Sequence, residues 1–572
     1  MYEFKRPLIF QNYDRSSLQR HFLRAIHFER ERNLAEAFQE YQALLEEAPD
    51  FLPALTRLAE LYLRRGEIEK ALELARKAVS LDMYDGAANY VYALAARLKG
   101  FNTEAKEALT WAARDIAFCG AALNQLSEIF LSEGQFRLAI EFAQRSLLRD
   151  QENIPSLQLL ALAFRKRGET KKAQQILSQL ENLDPLNPFL QLEKYWSRPS
   201  PDNWQKFRSS IHNEFPEETI LELALYYRRL NQLQETLHLL NKIDHYPQAN
   251  YWLGYLIGQK DKTQSQNYLT KARSLSPFLV FPFRQETIPV LKWAIAKEPS
   301  DWKARYYLAL LLWSKGRKEE AEELLISCGR MPDYPPFYIV RGTFLKEKDR
   351  LAAQKDFQRS VELGNKEWRN WHHLIRYYLE TNRKNEALIE ADKAFSLFPN
   401  DMLLRADLVE AMMANHQYDR AAQLLDKTTF LPSEGATKIH QLFVDCHLQL
   451  GLKNFKQGSV PQAIKHFQKA KTYPEHLGTG QPFDPDCRLQ DLLLGICYQR
   501  LGEYELAALH FQKVRDYTLH HWQENRPYHS LAAIFLMRKE KMNKAGELLK
   551  KFPLPKNLEH YYRLIIKELK DG

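Results

Sequence analysis

Apolar residues recur three and four positions apart along most of the chain, which is the spacing that places them on one side of an α-helix. Leu58 and Tyr62 mark one such apolar face, and Ala71 and Ala78 mark the next. Gly66 separates the two faces, and glycine tolerates the left-handed backbone with which many helices end. The hydrophobic pattern therefore predicts a pair of short amphipathic helices joined by a tight turn.

This pair of helices is repeated along the chain, and small residues mark the period of 34 residues. The alanines and glycines that keep this spacing are Ala37, Ala71, Ala105, Ala139 and Ala173, and Gly66, Gly100, Gly134 and Gly168. We expect each alanine to lie where the second helix crosses closest to its neighbour, because a larger side chain would push the helices apart. We expect each glycine to lie where the first helix stops and the chain reverses.

A 34-residue period made of two amphipathic helices resembles the tetratricopeptide repeat. The resemblance predicts an all-α fold, a right-handed superhelical solenoid of tetratricopeptide helix pairs. Further alanines continue the pattern and bring the expected count to about thirteen or fourteen repeats; they are Ala353, Ala387, Ala421, Ala463, Ala507 and Ala545. Each repeat of a solenoid packs only on its neighbours, so the length of 572 residues does not require several globular domains.

Interruptions in the period divide the chain into five expected parts. They are an amino-terminal arm at 1–16, a repeat block at 17–187, irregular central repeats with an insert at 188–299, a second repeat block at 300–554 and a capping helix at 555–572. Prolines and tryptophans break the period between Pro188 and Pro216, and a proline-bounded segment breaks it again from Ser276 to Ala294. We interpret the first interruption as an irregular insert or a joint.

Four irregular stretches resemble a more specific group of proteins. The sequences LDMYDGAANYVYALA, LDPLNPF, SPFLVFPFRQETIPVLKWA and TYPEHLGTGQPFDPD are similar to stretches in the carboxy-terminal region of a bacterial family. In that family the repeats follow a β-sandwich domain of unknown function that is similar to galactose mutarotase. The resemblance covers most of this chain, but the repeats begin almost at its first residue, so we expect that half to be absent. The resemblance therefore implies no carbohydrate activity and transfers no functional residue.

Composition favours a cytoplasmic protein. The 81 lysines and arginines exceed the 72 acidic residues by nine, which is a mild excess for a chain of which 27% is charged. Five scattered cysteines have no metal or redox spacing, and the first residues do not form a signal peptide. The apolar stretches are also too short to span a bilayer. We therefore expect no specific nucleic-acid partner and no membrane partner.

Candidate chemistry is sparse, and each motif has a structural interpretation. The adjacent histidines His372–His373 and His520–His521 point about 100° apart on a helix and cannot chelate one ion together. His440 and His447 lie two turns apart without the further ligands that a zinc site needs. The loop at 474–487 lacks the oxygen spacing of a calcium loop, and we interpret it as structural. The sequence thus predicts no cofactor, no metal site and no enzyme activity.

The remaining candidate surface is the concave groove that the first helices of a solenoid line. Repeat positions 5, 9 and 12 lie about one turn apart on one helical face and are expected to point into it. The candidate binding residues are Thr56, Glu60, Tyr90, Arg97, Asn124, Glu128, Gln158, Arg165, Tyr306, Trp313, His372 and Arg376. Their mixture of polar, aromatic and cationic side chains suits an extended peptide or a partner helix. The alternative is that these side chains pack between adjacent first helices.

Two functions of different class follow from these observations. The favoured one is a non-catalytic protein–protein interaction scaffold that binds peptide or helical segments of its partners in the concave groove. The alternative, which rests on the resemblance, is an accessory or regulatory subunit of a bacterial carbohydrate-related enzyme or assembly. RNA binding by helical repeats would require a base-reading pattern at fixed positions, and positions 5 and 9 show none.

Overall fold

The computed structural model describes residues 15–432 and 436–521, together with residues 528, 531, 532, 535, 561, 563–565, 567 and 568. Residues 1–14 of the predicted amino-terminal arm, the second helix expected around Ala545 and most of the predicted capping helix lie outside these residues. Every regular element in the described part of the chain is a helix, so this part is all-α. It divides into two compact units, Met1–Pro332 and Asp333–Gly572.

The first unit contains nineteen α-helices among its described residues. In chain order they are α1 (Arg15–Arg30), α2 (Leu34–Glu47), α3 (Leu52–Arg65), α4 (Ile68–Leu81), α5 (Gly86–Leu98), α6 (Asn102–Ala112), α7 (Cys119–Ser132), α8 (Phe136–Leu147), α9 (Ile154–Lys166), α10 (Thr170–Leu183), α11 (Pro188–Ser197), α12 (Pro201–Ser209), α13 (Pro216–Arg229), α14 (Leu233–Lys242), α15 (Pro247–Ile257), α16 (Lys262–Ser274), α17 (Ile288–Lys297), α18 (Trp302–Ser314) and α19 (Lys318–Ser327).

The described residues of the second unit form ten further α-helices. They are α20 (Pro335–Leu345), α21 (Arg350–Leu363), α22 (Trp368–Glu380), α23 (Lys384–Leu397), α24 (Met402–Ala414), α25 (Tyr418–Lys427), α26 (Ala436–Lys456), α27 (Val460–Lys469), α28 (Arg488–Leu501) and α29 (Tyr504–His520). In both units consecutive helices pack as pairs, and each pair packs on the next. The first helices of these pairs are α1, α3, α5, α7, α9, α11, α13, α15, α18, α20, α22, α24, α26 and α28. Helix α17 belongs to no pair and packs against α15 and α18.

The alanine and glycine rows have the predicted roles. Ala71 and Ala105 are fully buried within their second helices. Gly66 and Gly100 adopt the left-handed backbone after their first helices, with φ of 73° and 82°. Asn231 adopts the same conformation, with φ of 57°, in a turn that has no glycine. The repeat period thus reflects a helix crossing that requires a small side chain and a turn that requires a positive φ.

Residues 188–216, which we interpret from the sequence as an irregular insert or joint, contain the shortened helix pair α11 and α12. Both helices begin with a proline in their first turn, where the missing N–H has no helical partner to lose. The side chains of Asn187 and Ser200 cap them by accepting hydrogen bonds from backbone N–H groups. Helix α11 contacts both α9 and α13, so the stack of first helices continues through this segment.

Candidate functional site

The first helices present a common stripe of partly exposed side chains. On α3 this stripe includes Arg57, Glu60 and Arg64, and on α22 it includes His372 and Arg376. Residues three or four positions apart share one side of a helix, so the stripes of successive first helices form one surface. We call this surface within each unit the first-helix face. All twelve residues predicted for the concave groove belong to first helices.

Two of these predicted residues connect neighbouring repeats. The Asn124 amide donates from Nδ2 to Asn153 Oδ1 at 3.0 Å, and the Gln158 amide donates from Nε2 to Asn187 Oδ1 at 3.2 Å. Asn153 and Asn187 are the N-caps of α9 and α11, each of which is the next first helix in the stack. The hydrogen bonds from Asn124 and Gln158 therefore fix the start of the following helix.

Arg97 and Glu128 form a nearly buried ion pair between α5 and α7. The distance from Arg97 Nη1 to Glu128 Oε2 is 2.7 Å, and the two side chains are 14% and 9% exposed. Arg229 of α13 approaches the same carboxylate, with Nε 3.3 Å from Oε2. Asn231 also donates from Nδ2 to the carbonyl of Ser132 at 3.1 Å. Because α7 and α13 are not consecutive first helices, these contacts close part of the first-helix face of the first unit.

Glu193 of α11 lies at the centre of a second buried cluster, with its side chain 1% exposed. Arg165 donates from Nε to Glu193 Oε2 at 2.6 Å and from Nη2 to Oε1 at 3.1 Å. The Tyr227 hydroxyl also donates to this carboxylate. Burial and the charge of Glu193 raise the pKa of Tyr227 well above its ordinary value, so the phenol keeps the proton that it donates. Arg165 also pairs with Glu235, at 3.2 Å from Nη1 to Oε1.

The other predicted residues of the first unit differ in exposure. Thr56 and Tyr306 are only 5% and 4% exposed, so they offer a partner little surface. Glu60 is partly exposed and accepts hydrogen bonds from two arginines of its own helix. Tyr90 is partly exposed, and Trp313 is 43% exposed. Tyr90 and Trp313 are therefore the more accessible aromatic side chains of the predicted set.

A non-helical segment of the chain packs against α13 in the first unit. Residues 275–284 form no helix, and Arg284 at their end donates from Nη1 to the Glu218 carboxylate and from Nη2 to the Glu218 carbonyl at 3.2 Å. Trp252 of α15 donates from Nε1 to Thr287 Oγ1 at 3.3 Å. The Arg284 side chain is 11% exposed. The segment that ends at Arg284 therefore contacts α13, and the short 3-10 helix that follows it, Gln285–Thr287, contacts α15.

In the second unit, His372 and Arg376 belong to a ladder of ion pairs. His372 Nδ1 lies 2.6 Å from Asp407 Oδ2, and Arg376 Nη1 lies 2.6 Å from Glu410 Oε2. Lys438 Nζ lies 2.7 Å from the same Glu410 oxygen. The ladder thus joins α22, α24 and α26, which are consecutive first helices. We call these five side chains the charge ladder.

The two carboxylates of the charge ladder differ in their electrostatics. Asp407 is 3% exposed, and burial raises its pKa although the hydrogen bond with His372 opposes this shift. Burial also acts to raise the pKa of Glu410. The hydrogen bond from Lys438 and the charge of Arg376 outweigh burial, so the pKa of Glu410 is lowered. Glu410 therefore stays ionised at neutral pH, and at 28% exposure it is the more accessible acid.

Sequence reasoning missed the acidic partners in these clusters. Glu410 lies 34 residues after Arg376, and Asp407 lies 35 residues after His372, so the repeat period contained a signal for both. Glu193 lies where the period is interrupted, and no periodic position marks it. Its role becomes visible only once α11 is seen to continue the stack of first helices.

The described residues contain no group of three or more His, Cys, Asp or Glu side chains arranged to hold a metal ion. His440 Nε2 lies 3.0 Å from the carbonyl of Thr472, and His447 Nδ1 lies 3.1 Å from His466 Nδ1. Burial lowers the pKa of His447 to about 4, so this ring is neutral at neutral pH. Both histidines therefore take part in the packing of α26. Among the described helices, none is long and apolar enough to cross a membrane.

Two family models match parts of the chain. A tetratricopeptide repeat model matches residues 286–326, and the model of the TT21 fifth ARM repeats domain matches residues 21–131. Both models describe helical repeats, in agreement with the helix pairs described above. The described residues of each unit therefore form an all-α solenoid of tetratricopeptide helix pairs.

Several solved structures are similar to the chain. MamA is 19% identical over 32% of this chain and 97% of its own, with a TM-score of 0.28. YrrB, a TPR protein with an unusual peptide-binding site, is 18% identical over 30% of this chain and 89% of its own, with a TM-score of 0.25. The APC/C hetero-tetramer Cut9–Hcn1 is 15% identical over 92% of this chain and 98% of its own, with a TM-score of 0.25. The chain has no match among curated proteins.

Proposed function

We propose that the protein is a cytoplasmic, non-catalytic scaffold that binds peptide or helical segments of partner proteins on its first-helix face. The charge ladder of the second unit is the observation that carries this proposal. Beside the ladder, Leu403 is 48% exposed, and Leu379 and Met413 are partly exposed. A surface that alternates accessible charges with apolar side chains suits the recognition of a partner segment, because the charges select it and the apolar contacts bind it.

The first unit leaves less of its first-helix face to a partner. Arg97, Glu128 and Arg165 are engaged in contacts within the chain, and their side chains are between 9% and 21% exposed. Tyr90 and Trp313 remain the more accessible aromatic residues of the predicted set there. We therefore assign partner binding chiefly to the charge ladder, with Tyr90 and Trp313 as secondary contacts.

A pull-down from the source cells, followed by mass spectrometry, tests this assignment. The full chain with Arg376→Ala and Lys438→Ala should recover its partner at least about tenfold less well, because both accessible cations of the ladder are removed. The control carries Lys393→Ala and Arg420→Ala, which remove two cations from ion pairs on second helices. If the control loses the partner and the ladder variant keeps it, the binding surface lies on the second helices and the proposal is wrong.

A second candidate function rests on the resemblance of the four irregular stretches to bacterial repeat proteins with a galactose-mutarotase-like domain. In that case the protein would be an accessory or regulatory subunit of a carbohydrate-related enzyme or assembly. The same pull-down separates the two functions. If the unaltered chain recovers a carbohydrate-related enzyme and the ladder variant does not, the second function is supported. If the chain recovers other proteins and no carbohydrate-related enzyme, the second function is rejected.

A further inference from the structure

Exposed apolar side chains recur at four successive loops of the first unit. Each loop connects the second helix of one pair to the first helix of the next; the loops are residues 82–85, 113–118, 148–153 and 184–187. Each presents a large apolar side chain to solvent. These side chains are Met83, Ile116, Leu148 and Leu186, with exposed fractions of 49%, 95%, 82% and 70%. We call them the loop row. A single exposed apolar residue is ordinary, but one in each of four successive loops indicates a contact surface.

The four loops lie along one edge of the stacked helices. Consecutive helices of a pair run antiparallel, so every loop of this kind falls at the same end of its helices. Asp115 packs directly on the start of α5, because a Cβ added at Gly86 would lie only 2.5 Å from Asp115 Cβ. Ser146, near the end of α8, donates from Oγ to the carbonyl of Gly120 at the start of α7, at 3.3 Å. Neighbouring loops therefore adjoin, and with first helices about 10 Å apart the loop row extends over about 30 Å.

The loops that carry the loop row are acidic, although the whole chain is basic. They contain six acidic and two basic residues, a net charge of −4, whereas the whole chain has a net charge of +9. One of the two basic side chains, Arg114, lies over the ring of Trp111, with its guanidinium carbon 4.0 Å from the ring centre. The acidic residues are Asp82, Asp85, Asp115, Asp150, Glu152 and Asp184.

These carboxylates keep their charge. Within the described part of the chain, none of the six forms an ion pair with a lysine, arginine or histidine. Asp85 and Asp115 accept hydrogen bonds at 2.8 Å from backbone N–H groups, which are neutral donors. In the preceding loop, by contrast, Asp50 Oδ1 lies 3.0 Å from Lys77 Nζ. The edge that carries the loop row is therefore both apolar and negatively charged, and it attracts cationic partners.

We infer that the loop row binds a basic amphipathic helix of a partner protein, about 20 residues long. A helix of that length extends over about 30 Å and can place apolar side chains over all four loops. Its lysines and arginines would lie beside the loop carboxylates. The same carboxylates repel anionic lipid headgroups and the phosphates of nucleic acid, so the charge favours a protein partner over both. The loop row shares no residue with the charge ladder, so this inference goes beyond the proposed function and can fail independently of it.

Fluorescence anisotropy with the full chain tests the inference. The probe is a fluorescein-labelled peptide of about 20 residues in which leucines form one face of a helix and lysines form the other. One comparison peptide carries serine in place of leucine, and a second carries glutamate in place of lysine. We expect the leucine–lysine peptide to bind at least about tenfold more tightly than either comparison peptide, because binding requires both apolar contact and positive charge.

One pair of variants tests the apolar contact. Ile116→Ser with Leu148→Ser removes two side chains of the loop row and should weaken binding of the leucine–lysine peptide at least about tenfold. The matched control, Leu351→Ser with Ile389→Ser, removes two exposed apolar side chains from second helices of the second unit. Binding by the control should stay within about twofold of that by the unaltered chain.

A second pair of variants tests the charge. Asp115→Asn with Asp150→Asn removes two charges but keeps the side-chain oxygens that accept the hydrogen bonds of the loops. Binding should weaken at least about threefold at low salt, and the difference should shrink as salt is added. Glu319→Gln with Glu323→Gln removes two exposed charges from α19 of the same unit, and binding should change by less than about twofold.

Three results would overturn the inference. The first is no measurable binding of the leucine–lysine peptide, and the second is equal weakening by a loop-row variant and its control, which would make the attraction a general property of the surface. The third is binding of the full chain to vesicles of anionic phospholipid that is lost in Ile116→Ser with Leu148→Ser, which would assign the loop row to a lipid surface. Thermal unfolding shows whether each variant folds, and Ile116→Ala with Leu148→Ala replaces the serine variant if that one does not.

Discussion

The first-helix faces of the two units use similar charged side chains in different ways. In the first unit, Arg229 contacts Glu128 across non-consecutive first helices, and Glu193 is buried beneath its partners. In the second unit, the charge ladder joins consecutive first helices, and Arg376 and Glu410 remain 26% and 28% exposed. A side chain at one repeat position can thus bind its own chain or stay accessible to a partner. What decides between these outcomes is which other segments of the unit approach the face.

Removal of Glu193 should give the largest effect and tests whether the face of the first unit is structural. Glu193→Ala leaves Arg165 nearly buried without this carboxylate and Tyr227 without its acceptor. The free energy of unfolding, measured by chemical denaturation, should fall by about 3–5 kcal/mol. A loss below about 1 kcal/mol would mean that this cluster is no more structural than a surface ion pair.

Acidification should weaken the second unit through buried His447, whose ring packs against the partly exposed ring of His466. Burial lowers the pKa of His447 to about 4, with the charge of Lys469 acting in the same direction and that of Asp426 opposing it. The pKa of a histidine in an unfolded chain is about 6.5, so the unfolded state takes up the proton first as the pH falls. Stability that is present above about pH 6.5 should be lost progressively towards pH 4, by about 2–3 kcal/mol.

Denaturation curves at neutral pH and at mildly acidic pH measure this loss. In His447→Leu the dependence on pH should be clearly smaller, because the buried ring that resists protonation is gone. His212→Gln, which alters an exposed histidine of the first unit, is the control and should keep the full dependence. If His447→Leu also kept the full dependence on pH, a group other than His447 would be responsible for the loss of stability.

Overpacking of the helix crossing should affect both units equally, although their first-helix faces differ. Ala71 and Ala387 are both fully buried at equivalent repeat positions. Ala71→Leu and Ala387→Leu should each lower the free energy of unfolding by about 1–3 kcal/mol. Glu73→Leu, at an exposed position of the same helix as Ala71, should stay within about 0.5 kcal/mol of the unaltered chain. A variant at Ala71 or Ala387 with unchanged stability would show that the repeat register is wrong there.

The smallest effect on stability is expected for a substitution in the charge ladder. Glu410→Gln removes the charge that Arg376 and Lys438 share, but all three side chains are partly solvated. The free energy of unfolding should therefore change by less than about 1 kcal/mol. A change as large as that expected for Glu193→Ala would remove the distinction between the two faces and would make the ladder a structural element.

The parts of the fold that depend on one repeat and its neighbour could be predicted from the sequence. The positions of Ala71 and Gly66 follow from helix period and turn geometry, which are local properties, and the structure confirms both. The contact of Arg229 with Glu128 could not be predicted, because it depends on small angles between helix pairs that accumulate over several repeats. The sequence marks only the residues that each repeat presents.

The candidate site shows the same limit. The repeat register placed His372 and Arg376 one turn apart on one first helix, but it did not indicate which acidic residues they meet. Asn124 and Gln158 occupy a register position at which the sequence allows either a partner contact or a contact with the next helix. Only the position of the following N-cap, which depends on the length of the preceding loop, shows that they bind within the chain.

The bond between Asn124 and the cap at Asn153 spans one repeat, and this has a consequence for how such a chain can evolve. A duplication or deletion of one whole repeat can restore a bond of this type at the new junction, because neighbouring repeats supply both the amide and the cap. The contact of Arg229 with Glu128 reaches across two intervening helix pairs, α9–α10 and α11–α12, and a gain or loss of one repeat between them would break it. Recombination can therefore lengthen or shorten the regular stretches of the chain, whereas the number of repeats between α7 and α13 is constrained.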